Sequence, residues 1–98
     1  MAAWVYILKC ADRSYYVGST TDLDQRLGQH QSGVLGGYTS TRLPVEMVWA
    51  AEFQSIHEAI AFEQRVKRWS RAKKEALIRG DWDALPMLSS RGFRPSQL

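Results

Sequence analysis

Asparagine is missing altogether from these 98 residues, and cysteine occurs once, as Cys10. Without Asn there is no N-glycosylation sequon, and a lone thiol closes no intrachain disulfide, so both common marks of a secreted chain are excluded. Long apolar runs are lacking too. The opening MAAWVYILK has no cationic leader and its apolar stretch stops at Lys9, too short for a signal peptide or a spanning helix. A cytoplasmic protein that enters no membrane is the expectation. Neither an internal repeat nor a low-complexity tract is present.

The hydrophobic residues that are present, 45% of the chain with four Trp, suffice to close one modest core. We expect one folded domain over residues 1–85 and a C-terminal tail, 86–98, that frays. Net charge is only +3, yet it is unevenly spread. Between Arg65 and Arg79 stand Arg65, Lys67, Arg68, Arg71, Lys73, Lys74 and Arg79 against the single acid Glu75, whereas residues 43–64 carry four glutamates and no Lys or Arg. A basic helical face of this kind suits a polyanion and equally suits a solvated helix.

Trp4–Cys10 and Tyr15–Ser19 are rich in β-branched and aromatic residues and flank a polar turn, which predicts a β-hairpin. Thr21 with Asp24 reads as a capping box opening a short helix, Asp22–His30. Ser32–Pro44 has Gly, Ser and Thr without periodicity and reads as a loop. Val45–Phe53 alternates, placing Val45, Met47, Trp49, Ala51 and Phe53 on one strand face. Ser55 and Glu58 open a helix to about Trp69, and a further helix runs from about Ser70 to Arg79, stopped by Gly80.

Polar residues stand on the inward faces of these helices. At 100° per residue Ile56, Ala59, Ile60, Phe62, Val66 and Trp69 form an apolar stripe with Glu63 inside it. A carboxylate there is costly unless it meets a cation or an open, wet helix end. On the first helix Arg26 and His30 share the side of Leu23 and Leu27. Singly these are ordinary structural or snorkelling residues. Together with hairpin tyrosines they form a set suited to phosphodiester hydrolysis: a carboxylate for a divalent metal, a guanidinium for transition-state charge, and a proton acceptor. Tyrosine, with an ordinary pKa of about 10, needs a neighbouring base or cation to accept near neutral pH.

With these residues in place the chain resembles the GIY-YIG nucleases. Trp4-Val5-Tyr6 stands where the family has G-I-Y, and Tyr16-Val17-Gly18 stands for Y-I-G. Arg26 and His30 in DLDQRLGQH match the following helix, and Glu63 in FEQRVKRW matches the metal-binding glutamate. The pattern from Tyr38 to Pro44 is similar to a small bacterial single-domain subfamily related to the nuclease domain of the excision-repair incision subunit.

The resemblance implies an α+β fold, a three-stranded antiparallel sheet flanked by helices, with a one-metal site on the sheet surface. It implies that Tyr6 and Tyr16 frame the attacking water, without deciding which is the base, that Arg26 contacts the scissile phosphate, and that His30 tunes the catalytic Tyr or passes its proton on. Glu63 would hold Mg²⁺ or Mn²⁺. Gly18 would permit close approach of backbone and substrate. For nucleic-acid backbone contacts the candidates are Lys67, Arg68, Lys73 and Lys74, with Tyr38 and Arg42 from the Gly-rich loop. The expected substrate is DNA, cut by structure or without sequence preference, with RNA open. A non-catalytic nucleic-acid-binding module of the same fold is the alternative.

Three departures accompany the match. Trp4 and Val5 replace the first two positions of G-I-Y, Ser19 replaces a Lys that some members carry after Y-I-G, and the Asn that some members place near the metal has no counterpart.

The hairpin also carries a parity expectation. Tyr6 and Tyr16 share a face only if paired residue numbers sum to an even number, which requires an odd-length loop or a bulge near Arg13–Tyr15. Tyr15 then falls on the other face as a packing residue, and Cys10 belongs to the core.

Overall fold

The computed structural model describes residues 2–81 and 95–96. Strands β1 (Ala3–Lys9), β2 (Tyr15–Thr20) and β3 (Glu46–Phe53) form an antiparallel sheet in which β1 is central and β2 is an edge. Helix α1 (Leu23–Ser32) lies between β2 and β3 in sequence, with a single 3-10 turn at Thr39–Thr41. Helices α2 (Ile56–Lys67) and α3 (Arg71–Arg79) follow β3. The expected three-stranded α+β architecture is present, and Pro95–Ser96 add a two-residue strand β4 against Ala50 and Ala51. At those two residues the segment expected to fray is part of the sheet. Residues 82–94, and with them the boundary expected at 85, lie outside the described residues.

Hairpin register follows the parity that the phenols require. Trp4 pairs with Thr20, Tyr6 with Gly18 and Leu8 with Tyr16. Cys10 N–H donates to the Ser14 carbonyl at 2.9 Å, leaving a three-residue turn, Ala11–Arg13. Arg13 takes a left-handed conformation, φ 70°, as the third residue of such a turn must. Its carbonyl accepts from Arg71 Nη1 at 2.6 Å, which ties α3 to the turn. Tyr6 and Tyr16 therefore share one face, with Leu8, Cys10, Val45 and Ala50, covered by Leu23 and Leu27 of α1. Val5, Ile7 and Val17 face the other way into a larger core with Ala59, Phe62 and Val66 of α2 and Leu77 of α3. Tyr15 packs there as expected and donates its hydroxyl to Glu75 at 3.0 Å. Cys10 is buried, and burial pushes its thiol pKa up, as befits a core residue.

Strand β3 corrects the alternation read from its sequence. Ile7 pairs with Trp49 but Leu8 with Met47, so Val48 is an extra residue in a bulge. Trp49, Ala51 and Phe53 face the α2 side, while Val45 and Met47 face the tyrosine side. The same core claims only part of the apolar stripe on α2, because Ile60, about 100° from its centre, is 43% exposed. Helix starts follow their caps with one shift: Asp22, not Thr21, caps α1 by accepting from Gln25 N–H, while Ser55 and Ser70 cap α2 and α3.

Gly18 is required by packing. A Cβ there would lie 2.4 Å from Tyr6 Oη and 2.6 Å from Cζ, because the Tyr6 ring lies across β2 at its pairing partner. The close approach is thus made by a phenol of the same chain. Gly18→Ala is expected to cost about 2 kcal/mol through overpacking, measured by urea denaturation. An unchanged midpoint would show that the Tyr6 ring moves aside freely.

Candidate active site

Tyr6 leans over Gly18 toward the edge strand of the sheet, where two polar groups meet its hydroxyl and a third lies near. Its hydroxyl lies 2.9 Å from His30 Nε2. The Arg26 guanidinium, one turn earlier on α1, stands beside the same hydroxyl and draws its pKa down. Glu63, from α2 on the opposite face of the sheet, is close enough to raise it. The candidate residues therefore lie around the β2 edge, with Tyr6 and the α1 side chains on one face of the sheet and Glu63 of α2 on the other. Edge position solves a geometrical problem, since side chains from α1 and α2 cannot meet through the middle of a sheet.

Burial dominates the electrostatics of Tyr6. Desolvation, then the neighbouring Tyr16, push its pKa up to about 12 against the pull of Arg26. His30 moves the other way: burial first, and Arg26 second, hold its imidazole below the ordinary value, so it is neutral at pH 7. Its second nitrogen, Nδ1, lies 2.8 Å from the Oγ1 of Thr39, which is itself only 2% exposed. Two proton arrangements fit this row. Either Tyr6 O–H donates to Nε2 and Nδ1–H to Thr39, or Thr39 O–H donates to Nδ1 and Nε2–H to Tyr6. Thr39 belongs to the Tyr38–Pro44 pattern but has no assigned role there, and its place in the 3-10 turn packed on α1 brings it to the imidazole.

A neutral His30 has a consequence for stability. The unfolded chain binds a proton near pH 6.5 that the folded chain takes up only at lower pH, so this contribution is complete above 6.5 and is lost as pH falls through the folded value. Thermal midpoints measured from pH 7.5 to 5 are expected to fall for the parent and for His57→Gln, whose imidazole is exposed, but to be flatter for His30→Gln. A His30→Gln profile parallel to the parent would place the titration elsewhere.

Glu63 is buried with both oxygens engaged: Ser19 Oγ donates to Oε1, and Lys67 Nζ lies 2.7 Å from Oε2. Ser19 reaches Glu63 because it shares the α2-facing side of β2 with Tyr15 and Val17. Among the described residues no group of three His, Cys, Asp or Glu is placed to hold a metal ion. A single carboxylate with a neighbouring hydroxyl fits a hard cation that keeps most of its ligands as water or substrate oxygen, as Mg²⁺ and Mn²⁺ do, and does not fit a closed zinc site.

An aromatic row extends from this centre along the edge. Tyr16 lies 5.0 Å from the His30 ring and 6.4 Å from that of Tyr6, and exposed Tyr38 lies 6.1 Å from Tyr16. Tyr15, Tyr16, Val17, Tyr38, Lys67 and Lys74 line an open groove of about 290 Å³ beside it.

Arg68, Lys73 and Arg42 do not line that groove. Arg68 lines a separate hollow with Trp69, and Lys73 Nζ lies 5.8 Å from the centre of the Trp69 ring. Arg42 is largely committed within the chain. Its Nε meets Asp12 Oδ2 at 3.0 Å, its Nη1 donates to the Tyr38 carbonyl at 2.8 Å, and its guanidinium stacks 3.8 Å over the Tyr38 ring. It clamps the Gly-rich loop to the hairpin turn and so fixes Tyr38.

Comparison with known proteins agrees with this fold. The family model described as "GIY-YIG catalytic domain" matches residues 2–76. A UPF0213 protein of Streptococcus pneumoniae is 43% identical over 81 residues, 83% of this chain and 82% of the relative. The solution NMR structure of the UPF0213 protein BH0048 from Bacillus halodurans is 46% identical, with TM-score 0.53 over 81% of this chain and 84% of that one. That of EF2693 from E. faecalis is 33% identical, with TM-score 0.57 over 82% and 85%.

Proposed function

This chain belongs to the GIY-YIG catalytic-domain family, and we propose that it is a divalent-metal-dependent endonuclease hydrolysing phosphodiester bonds in DNA, by structure or without sequence preference. The observation that supports the reading is the gathering of Tyr6, His30 and Arg26 at the β2 edge, over the one glycine that lets the phenol reach it, with Glu63 held at Ser19 of the same strand from the other face of the sheet. Glu63 would hold Mg²⁺ or Mn²⁺, which when bound supplies charge neutralisation at the phosphoryl oxygens.

The chain's own residues do the rest. Arg26 presents a planar, permanently charged fork to the phosphate, stabilising the charge that builds in the transition state. Tyr6 and His30 act as one proton acceptor. Tyr6, with its pKa near 12, is not ionised at neutral pH, but neutral His30 takes the Tyr6 proton at Nε2 while Tyr6 Oη takes that of the attacking water. Thr39 holds Nδ1 and so keeps the imidazole turned for this transfer. Of the two tyrosines, Tyr6 thus serves as the acceptor and Tyr16 borders the groove for the strand. Lys67 and Lys74 face that groove with positive charge suited to neighbouring phosphates.

The test is incubation with labelled single-stranded, duplex, flapped and four-way DNA and single-stranded RNA, with Mg²⁺ or Mn²⁺ and with EDTA. Cleavage of at least one DNA that EDTA stops is the expected result. Binding without cleavage under every condition would favour the non-catalytic module, and cleavage of RNA alone would change the substrate class.

A further inference from the structure

Lys67 is not simply one more cation on a basic helix. Its Nζ contacts Glu63 Oε2 at 2.7 Å from one turn along α2, and the two partners differ in surroundings: the Lys67 side chain is 45% exposed, that of Glu63 only 11%. A buried carboxylate needs a counter-charge, whereas an exposed ammonium on a four-carbon stem can leave without being desolvated. The same side chain lines the groove with Tyr16, Tyr38 and Lys74. Lys67 thus stands between the carboxylate assigned to a metal and the groove assigned to a strand.

We propose that Lys67 is an exchangeable counter-ion for Glu63, neutralising the carboxylate in the metal-free protein and yielding it to the divalent cation as its own ammonium turns to a phosphate in the groove. The proposal rests on the assignment of Glu63 as metal ligand. An ammonium and a divalent ion on one carboxylate repel each other, so binding of the ion favours departure of the ammonium. Among the described residues no cluster of three ligating side chains supplements Glu63, so water completes most of the ion's shell in the free protein. Metal binding to the free protein is then weak, and metal and nucleic acid each strengthen binding of the other by the same factor.

The experiment is Mn²⁺ titration of the full chain, followed by electron paramagnetic resonance of free Mn²⁺, with and without an oligodeoxynucleotide carrying phosphorothioate linkages to suppress turnover. Glu63→Gln, titrated in parallel, marks the uptake that belongs to this site. The parent is expected to bind Mn²⁺ about tenfold more tightly when the oligonucleotide is present. Lys67→Met is expected to bind Mn²⁺ alone about tenfold more tightly than the parent, with the oligonucleotide adding about twofold or less. Lys67→Arg, which keeps the charge, should behave as the parent does. Lys67→Met no tighter than the parent, or Lys67→Arg as tight as Lys67→Met, would overturn the exchange while leaving Glu63 as ligand. No Glu63-dependent uptake in the parent under either condition would instead overturn the metal assignment itself.

Discussion

Glu63→Gln is expected to lower metal-dependent cleavage about a thousandfold, equivalent to about 4 kcal/mol of transition-state stabilisation, while leaving the protein folded. The substitution preserves volume and keeps an amide oxygen for the Ser19 hydroxyl, so the buried end of the side chain retains its partner. What it removes is the negative charge. The lost ion pair with half-exposed Lys67 is worth about 0.2–1 kcal/mol, and loss of that pair also removes the reason for burying a carboxylate there. Little change in the thermal midpoint should therefore accompany the large fall in rate. A loss of activity below about tenfold, with Mg²⁺ at the level that saturates the parent, would show that this carboxylate does not hold the catalytic ion.

Tyr6→Phe should be nearly as damaging, reducing cleavage about a hundredfold to a thousandfold, the usual range for a positioned proton acceptor. Its cost to stability has a different origin. Removing the hydroxyl leaves His30 Nε2 buried without that partner, which should cost about 1–3 kcal/mol. Because Tyr6 and His30 act as one unit, Tyr6→Phe combined with His30→Gln should be no slower than the worse single variant. Tyr16→Phe supplies the contrast. Its ring still packs on His30, 5.0 Å away, so it should fall less than Tyr6→Phe. Additive losses in the double variant, or a larger loss for Tyr16→Phe, would assign the proton to the other phenol.

Local chemistry made much of this protein legible in its residues. Serine caps stand where helices begin, Gly80 where one ends, and the inward placement of Arg26, His30 and Glu63 follows from 3.6-residue spacing alone. Even the hairpin register could be argued from parity, since two phenols on one face require an odd-length loop or a bulge. These features depend on neighbours within a turn or two, or on one strand and its partner. Other features depend on elements far apart in the chain and left no local trace. The bulge at Val48 redirects half of β3, and nothing in GluMetValTrp announces it, because the extra residue is accommodated by pairing with β1. Thr39 stands in the Tyr38–Pro44 pattern, yet its role emerges only when a 3-10 turn sets it 2.8 Å from an imidazole nine residues earlier. Arg42 and Lys67 look alike as cations for a polyanion, yet Asp12 and the Tyr38 ring occupy the first and Glu63 the second. The composition and spacing of the sequence by themselves determined which chemical groups were available and which helix or strand face each would occupy. Only the tertiary structure decided that they meet around an edge strand, because that meeting depends on one phenol crossing one glycine between helices on opposite faces of a sheet.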